Sequence, residues 1–356
     1  MEIRTGLSYG DVLLVPQRSA VDSRSDIDLS TNLTPNLELD TPLVSAAMDT
    51  VTEADLAIEL SRLGGIGTIH RFLTIAEQAA QVERVKAAGE RVAAAVGINE
   101  DYLERTEACL EAGADCIMMD VAHGHMEACL DAAARIDWEY DAELVVGNVV
   151  TAEAVQDLYE AGADGVKVGV GPGSHCTTRE VAGAGKPQLT AIDDCADVAT
   201  ELGIPLCADG GVRTSGDAAK ALMAGADTVM MGSFFAGTDE APGDIVTHGD
   251  QRFKRTRGMA SSAAANARTD KESNPSADEG VDGLTPYKGS LAPLVSEFLA
   301  GVRSGVSYCG GHTIAEARAN AEFIRVAASA QEREGAHGVA LDLEPAAEAA
   351  PIPPLQ

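Results

Sequence analysis

The chain has 356 residues, with 26 Lys and Arg against 56 Asp and Glu, which gives a formal net charge of −30 at pH 7. A surface with this excess of negative charge repels phosphate backbones and anionic lipid headgroups, so neither nucleic acid nor a membrane is expected as the main partner. Only 7 of the basic residues are Lys. Abundant carboxylates with scarce Lys favour a halophilic protein that stays hydrated in concentrated salt, and an acidic organellar or secreted protein is the alternative.

The hydrophobic share of 45% is ordinary for a globular protein and excludes disorder over most of the length. The sequence contains no apolar run of about 18 residues and no basic start followed by an apolar stretch. Neither a membrane span nor a signal peptide is therefore predicted, and the cytoplasm is the expected location. The 7 cysteines are scattered without a Cys-x-x-Cys pair, which argues against a disulfide framework and against a zinc site.

A repeated tetrapeptide, Ala-Gly-Ala-Asp, organises the middle of the chain at 112–115, 161–164 and 224–227. Each copy follows a segment with helical periodicity and precedes a β-rich apolar run. The glycine is placed to end the helix in a left-handed conformation, and the apolar run is typical of a strand buried on both faces. The three helical segments are Tyr102–Glu111, Ala152–Glu160 and Gly216–Met223.

Eight apolar runs with this rhythm predict eight parallel strands. In chain order they are Leu43–Met48, Gly65–His70, Val92–Ile98, Cys116–Val121, Leu144–Val149, Gly165–Val170, Leu206–Gly211 and Thr228–Ser233. Eight strands, each followed by a helix or a loop, indicate an α/β fold of the (β/α)8 TIM-barrel type. An open doubly wound sheet with extra strands is the alternative.

The barrel is predicted to form a single catalytic domain over residues 1–336. Within it, residues 238–288 have little apolar periodicity, and a loop of that length in a compact fold favours a mobile active-site flap. Residues 337–356 are rich in Ala, Glu and Pro and are predicted to form a disordered, solvated tail.

Barrels carry their chemistry on the loops that follow the strands. The glycine-rich stretch 169–174 follows the sixth strand, where its amides suit phosphate oxygens and its carbonyls suit a monovalent cation. Asp209–Gly211 and Gly232-Ser233 end the seventh and eighth strands, a common place for phosphate in barrels. For each stretch alone, a tight turn is an equally good interpretation.

Cys176 is set apart from the other cysteines by its context. It lies on the predicted active face among hydroxyl residues and close to Arg179, where a thiol can be activated as a nucleophile. His123 and His125 are two residues apart and suggest a metal site. A third ligand is not evident, so a loop role is favoured for both.

The segment 171–179, Gly-Pro-Gly-Ser-His-Cys-Thr-Thr-Arg, closely resembles the IMP dehydrogenase/GMP reductase family. The resemblance implies a TIM-barrel oxidoreductase that acts on a purine 5′-monophosphate with NAD(H) or NADP(H), binds a potassium ion and assembles as a homotetramer. Further matching segments extend over most of the chain: Ser8–Pro16, Ser45–Thr50, Gly64–Gly67, Pro187–Ala191, Asp209–Gly211, Arg257–Met259 and Pro286–Gly289.

The resemblance also implies a role for each matching position. Cys176 would attack the purine C2 and form a covalent adduct, with Thr178 as the hydroxyl that assists proton transfer. Asp120 would bind the nicotinamide ribose, and Glu279 would hydrogen-bond the edge of the base. The remaining implied positions are Met48 and Asn148 near the base, Asp209, Gly211, Gly232 and Ser233 at the ribose and phosphate, Ser174 and Gly258 elsewhere in the substrate site, and the carbonyls of Gly171, Gly173 and Cys176 at potassium.

Three departures from the dehydrogenase pattern favour GMP reductase, which converts GMP and NADPH to IMP, NADP and ammonia. The flap from Gly258 to Glu279 is shorter than in dehydrogenases and close in length to that of reductases. Arg268-Thr269 lacks the tyrosine of the dehydrogenase Arg-Tyr pair. Thr256, which stands where many dehydrogenases have a phosphate-binding tyrosine, weakens that contact under either hypothesis and is not one of the three. The pair of regulatory CBS modules that most dehydrogenases insert after the second strand is absent.

Other features favour the alternative, IMP dehydrogenase, which converts IMP, NAD and water to XMP and NADH. Typical reductases carry a glutamate a few residues after the position of Met259, and this chain does not; Asp270 and Glu272 are candidate replacements. Residues 181–183 also resemble the dehydrogenase pattern. A non-catalytic regulator that binds purine nucleotides is a third hypothesis, of another class.

The implied ligands are themselves anions, although the chain is strongly acidic. We therefore expect local groups to hold them, namely glycine-loop amides, helix N-termini and a few basic side chains. The basic candidates are Lys167, Arg179 and Arg257.

Overall fold

The computed structural model describes residues 3–98, 101–270 and 278–334. A short strand, β1 (Val12–Leu14), and an antiparallel hairpin of β2 (Thr31–Thr34) and β3 (Leu37–Leu39) precede the barrel strands. Leu33 and Leu39 of the hairpin are 1% and 0% exposed and pack in one cluster with side chains of the barrel strands. The hairpin therefore closes one end of the barrel interior.

Eight parallel strands close into a barrel in the order in which they occur along the chain, which confirms the predicted TIM-barrel fold. The strands are β4 (Leu43–Ser45), β5 (Ile66–Ile69), β6 (Val92–Val96), β7 (Cys116–Asp120), β8 (Leu144–Val149), β9 (Gly165–Val168), β10 (Leu206–Asp209) and β11 (Thr228–Met231). The helices between them are α1 (Ala54–Arg62), α2 (Ile75–Ala87), α3 (Tyr102–Glu111), α4 (Glu127–Glu139), α5 (Ala152–Glu160), α6 (Thr178–Val181), α7 (Gln188–Leu202) and α8 (Ser215–Met223).

The glycines of the repeated tetrapeptide end helices as predicted. Gly113, Gly162 and Gly225 have φ of +96°, +88° and +120°, a backbone region that residues with a Cβ rarely adopt. Each therefore lets the chain leave its helix and enter the next buried strand directly. This turn is what keeps the helix-to-strand connection short enough for barrel closure.

Several strands are shorter at their carboxyl ends than predicted. Strand β4 ends at Ser45 rather than at Met48, and β10 ends at Asp209 rather than at Gly211. The apolar and glycine residues beyond those ends line a cavity instead of continuing the ladder. Composition alone does not separate a buried strand from a buried loop that follows it.

The segment 238–288 contains more regular structure than a loop. Strands β12 (Ile245–His248), β13 (Gln251–Arg257) and β14 (Asp282–Pro286) form an antiparallel sheet, with a short helix, α9 (Ser262–Ala267), between the last two. The prediction of a loop was wrong for this part of the chain. Strand β13 buries polar side chains, so the sequence lacks the apolar periodicity by which a strand is recognised. Lys254 and Thr256 are its buried residues, at 4% and 2% exposure.

Beyond the flap come α10 (Leu291–Tyr308), α11 (Ile314–Asn320), β15 (Phe323–Arg325) and α12 (Ala328–Arg333). Strand β15 pairs antiparallel with β1 and so brings the two ends of the domain together. In the described part of the chain, none of the helices has the length and apolarity to cross a membrane. The predicted tail at 337–356 lies outside the described residues, and the domain boundary at 336 stays a prediction.

Replacement of Leu39 by Ala tests the role of the hairpin. The side chain is fully buried, so its truncation should lower the free energy of unfolding by about 2 to 5 kcal/mol. Chemical denaturation followed by circular dichroism measures the change. Glu38→Ala on the same strand is the control, because Glu38 is exposed and its loss should change stability by no more than about 0.5 kcal/mol. Equal stability of the two variants would contradict the assignment.

Candidate active site

The loops at the carboxyl ends of the barrel strands surround a cavity of about 410 Å³. The fourteen site residues that the family resemblance implies all line it, although they are spread over more than 200 positions of the chain. They are Met48, Asp120, Asn148, Gly171, Gly173, Ser174, Cys176, Thr178, Asp209, Gly211, Gly232, Ser233, Gly258 and Glu279. Their roles toward a ligand stay predictions.

Cys176 lies in the loop between β9 and α6. Its amide donates to the Gly173 carbonyl at 3.1 Å, which closes a turn that holds the thiol at the cavity. It is half-buried, whereas the other six cysteines of the chain are buried. Burial raises the pKa of Cys109, Cys195 and Cys207 to about 12 and that of Cys129 to about 11. Those thiols stay protonated and inert, so Cys176 is the accessible nucleophile.

A hydrogen-bonded chain of three side chains starts at this thiol. Cys176 Sγ lies 3.2 Å from Thr178 Oγ1, and the Thr178 hydroxyl donates to Glu279 Oε2 at 2.7 Å. Glu279 lies in the flap, 101 residues after Thr178, and backbone hydrogen bonds hold it there. The Thr177 amide donates to the Glu279 carbonyl at 2.9 Å, and the Glu279 amide donates to Ala260 at 3.2 Å. The chain can carry a proton between the thiol region and a carboxylate.

This contact between Thr178 and Glu279 was not predicted from the sequence. The candidate replacement carboxylate Asp270 does not reach the thiol, because it pairs with Arg268 and both side chains are buried, at 6% and 11% exposure. Arg268 lies over the Phe72 ring, 4.2 Å from its centroid. The other candidate, Glu272, lies outside the described residues.

A second polar cluster lies at the ends of β7 to β10, around the ammonium group of Lys167. Lys167 Nζ contacts Asp120 Oδ1 at 2.6 Å, Asp209 Oδ2 at 2.8 Å and the Asn148 side-chain oxygen. The Asn148 amide donates to Asp209 Oδ2 at 2.9 Å and to the Gly169 carbonyl at 2.6 Å. The four side chains therefore hold one another in fixed positions.

Electrostatics in this cluster favour the charged forms. Burial alone would lower the pKa of Lys167, but the two carboxylates outweigh it and hold the pKa well above its ordinary value. Burial likewise opposes the charge of Asp120, and Lys167 with a smaller contribution from Arg71 keeps the pKa of that carboxyl below its usual value. Arg71 also lines the cavity and was missed in the sequence.

The basic residues expected to bind an anion are engaged within the protein. Lys167 is 1% exposed and pairs with two carboxylates. Arg257 pairs with Asp49 at 2.6 Å, and Arg179 donates to the Lys186 carbonyl at 2.8 Å. Each of the three charges therefore has a partner within the protein, and their role toward an anionic ligand stays a prediction.

The part of the cavity that was predicted to hold phosphate is built from glycines and hydroxyl groups. Gly210 and Gly211 follow β10 with φ of +91° and +78°, so the backbone turns where a side chain would be strained.

Ser174 Oγ lies 3.1 Å from His175 Nδ1, and His175 Nε2 lies 2.9 Å from Thr256 Oγ1. Burial lowers the pKa of His175 and so favours the neutral imidazole.

The histidines of the loop after β7 do not form a metal site. His125 pairs with Asp157 at 2.7 Å, and His123 is exposed. Within the ranges that the structure describes, no three His, Cys, Asp or Glu side chains are grouped as metal ligands.

Comparison with known proteins identifies the family. The family model described as "IMP dehydrogenase / GMP reductase domain" matches residues 6–337 of this chain. This chain belongs to the IMP dehydrogenase/GMP reductase family. Its members are nicotinamide-dependent oxidoreductases, so the chain is an enzyme of that class.

The chain is similar to relatives named as IMP dehydrogenases and to relatives named as GMP reductases. An inosine-5′-monophosphate dehydrogenase from Nitrosopumilus maritimus (strain SCM1) is 37% identical over 475 residues, which cover 96% of this chain and 100% of the relative. A GMP reductase from Leishmania donovani is 34% identical over 477 residues, which cover 94% of this chain and 97% of the relative. Both alignments are longer than the 356 residues of this chain, so both relatives contain sequence that it lacks.

A solved structure has nearly the same fold. A variant of GMP reductase from Trypanosoma brucei, in complex with guanosine 5′-monophosphate, superposes with a TM-score of 0.91 at 32% identity. The match covers 95% of this chain and 99% of that one. The similarity in fold therefore extends over nearly the whole length of both chains.

Alkylation of the native protein tests the assignment of the accessible thiol. Iodoacetamide at mildly alkaline pH should modify Cys176 and leave the six buried cysteines unmodified, because burial excludes the reagent and keeps those thiols protonated. Peptide mass spectrometry gives the site and the stoichiometry, and Cys176→Ala should remain unlabelled. Labelling of Cys129 or Cys195 at the same rate as Cys176 would contradict the assignment.

Proposed function

We propose that this enzyme is a GMP reductase, which converts GMP and NADPH to IMP, NADP and ammonia. The observation that carries the proposal is the hydrogen-bonded chain from Cys176 through Thr178 to Glu279. Reductive deamination needs a nucleophile at C2 and, beside it, a group that protonates the leaving amine. The thiol and the Thr178–Glu279 pair meet both needs within one hydrogen-bond network.

In the first half of the proposed reaction, the Cys176 sulfur forms a bond to C2 of the purine and the bond from C2 to the exocyclic amine breaks. The thiol proton passes through Thr178 and Glu279 and leaves on the amine as ammonia. In the second half, a hydride adds to C2, the bond between carbon and sulfur breaks, and IMP is released. The Cys176 thiolate then takes a proton from solvent, so atoms and electrons balance.

The nicotinamide cofactor supplies the hydride when bound. Asp120 suits the ribose of that cofactor, because its Oδ2 accepts no hydrogen bond among the described residues while Oδ1 is held by Lys167. Arg71 lies beside Asp120 and lines the same cavity, where a guanidinium group suits the anionic part of a dinucleotide. These two residues would hold and orient the cofactor against the thiol.

The substrate is a purine 5′-monophosphate in this proposal. Asp209 would contact the ribose and Asn148 the base, both from the barrel interior. Met48, in the loop after β4, would lie near the base. Ser174, Gly211, Gly232, Ser233 and Gly258 would hold the phosphate and ribose by amides and hydroxyls rather than by side-chain charge. Support also comes from the Trypanosoma brucei enzyme, which binds guanosine 5′-monophosphate in the same fold.

IMP dehydrogenase is the second candidate. The Nitrosopumilus maritimus relative with that name favours it, and so does Arg268, which occupies the flap position of the arginine that activates water in dehydrogenases. We favour the reductase because the Arg268 guanidinium is committed to Asp270 and stacked over Phe72, whereas a carboxylate is already hydrogen-bonded beside the thiol.

We further propose that a potassium ion binds the carbonyls of Gly171, Gly173 and Cys176. Among the described residues, the carbonyl oxygens of Gly171 and Cys176 accept no hydrogen bond, while that of Gly173 accepts only from the Cys176 amide. Carbonyl oxygens of a glycine-rich loop that have so few hydrogen-bond donors are available to a monovalent cation. A homotetramer is proposed on the family resemblance alone.

Two parallel assays test the direction of the reaction. Purified enzyme in concentrated KCl is given GMP with NADPH, and separately IMP with NAD, and the absorbance of the reduced nicotinamide is followed. We expect NADPH to be oxidised only with GMP, with release of ammonia. Formation of NADH only with IMP would establish the dehydrogenase instead.

Glu279→Gln tests the proton path. The amide keeps the size of the side chain but cannot take up and return a proton, so kcat for the reductive reaction should fall by about 100-fold to 10,000-fold. The KM for the nucleotide should change much less. Glu240→Gln is the matched control, because Glu240 lies outside the cavity and hydrogen-bonds the start of α10. An unchanged kcat in Glu279→Gln would exclude this carboxylate from the path.

A further inference from the structure

Lys167 lines the cavity and contacts two carboxylates that belong to different strands of the barrel. It lies on β9, with a side chain that is 1% exposed. Its ammonium group reaches Asp120 at the end of β7 and Asp209 at the end of β10. One buried cation therefore links four consecutive strands of the barrel, since β8 contributes Asn148 to the same cluster.

Each carboxylate gives only one of its oxygens to this cation. Lys167 contacts Asp120 Oδ1 and Asp209 Oδ2, and Asn148 donates to that same Asp209 oxygen. The other two oxygens, Asp120 Oδ2 and Asp209 Oδ1, accept no hydrogen bond among the described residues, and both side chains line the cavity. They are the acceptors that remain for hydroxyl groups of a ligand.

We propose that Lys167 is a positioning residue that aims both carboxylates at once, one at the ribose of the purine nucleotide and the other at the ribose of the dinucleotide. The inference rests on the proposed function and adds to it the dependence of two binding sites on one buried cation. The physical reason is that a carboxylate next to an ammonium group stays ionised and keeps one rotamer, so its outer oxygen is a prepared acceptor.

A merely structural role for Lys167 makes a different prediction. Loss of a structural ion pair lowers the amount of folded enzyme, and therefore the apparent kcat, while the KM values of the remaining folded molecules stay the same. Loss of a positioning residue raises both KM values, because both acceptors are misaligned in every molecule. Comparison of KM with kcat therefore separates the two roles.

Lys167→Gln is the first test. The amide of Gln can donate to one carboxylate but carries no charge, so we expect the KM values for the purine nucleotide and for the dinucleotide each to rise about tenfold or more, with kcat changing by less than about threefold. Lys86→Gln is the matched control. It removes a Lys–Asp pair of 2.8 Å, to Asp115, at the opposite end of the barrel, and should leave both KM values unchanged. A rise in only one KM, or in neither, would overturn the proposal.

Asp120→Asn is the second test and serves even if Lys167→Gln does not fold. Lys167 keeps Asp209 as a charged partner in this variant, so two buried carboxylates are not left unpaired. The neutral amide holds the ammonium group less firmly between the two side chains, so Asp209 loses its fixed orientation and its outer oxygen is misaligned. The Kd of the purine nucleotide, measured by calorimetry without dinucleotide, should rise at least about threefold although Asp120 does not touch that nucleotide. An unchanged or lower Kd would overturn the proposal.

Wild-type enzyme in the same experiments separates this inference from the proposed function. If wild-type protein neither binds purine monophosphates nor turns them over, the proposed function fails. If the wild type binds and turns over its substrates while both variants keep wild-type affinities, only the role of Lys167 fails.

Discussion

The buried ammonium group of Lys167 is the interaction on which the functional end of the barrel depends. Closure of eight parallel strands brings Asp120 and Asp209 close to the same point in the barrel interior. Two ionised carboxylates in that position would repel each other and one would take up a proton. The lysine on the strand between them removes this conflict, so the same side chains that satisfy the interior also present acceptors to the cavity.

The use of charge inside the cavity explains how a protein with a net charge of −30 can hold an anionic ligand. Lys167, Arg179 and Arg257 are each engaged by partners within the protein. In the proposed site, attraction for the purine nucleotide then comes from backbone amides and hydroxyls that act over short distances, and Arg71 is the charged side chain proposed for the dinucleotide. Concentrated salt screens the long-range repulsion of the acidic surface and leaves such short contacts largely intact. An acidic exterior and an anion site are therefore compatible.

The sequence was informative where structure depends on local patterns. The barrel followed from apolar runs and from glycines such as Gly113 and Gly162, because both leave a signal within a few residues. The thiol at Cys176 was likewise marked by its neighbours. The flap sheet was not, since β13 buries Lys254 and Thr256. The contact of Thr178 with Glu279 joins residues 101 positions apart, and nothing in the local sequence of either residue indicates it.

Direct detection of the covalent intermediate tests the central claim, which is that Cys176 attacks the purine ring. Enzyme that is turning over its nucleotide is quenched in acid, digested and measured by mass spectrometry. The account predicts that the peptide containing Cys176 gains the mass of GMP less one ammonia, and that Cys176→Ala gains none. A quenched wild-type enzyme that is active but carries no nucleotide on Cys176 would contradict the account.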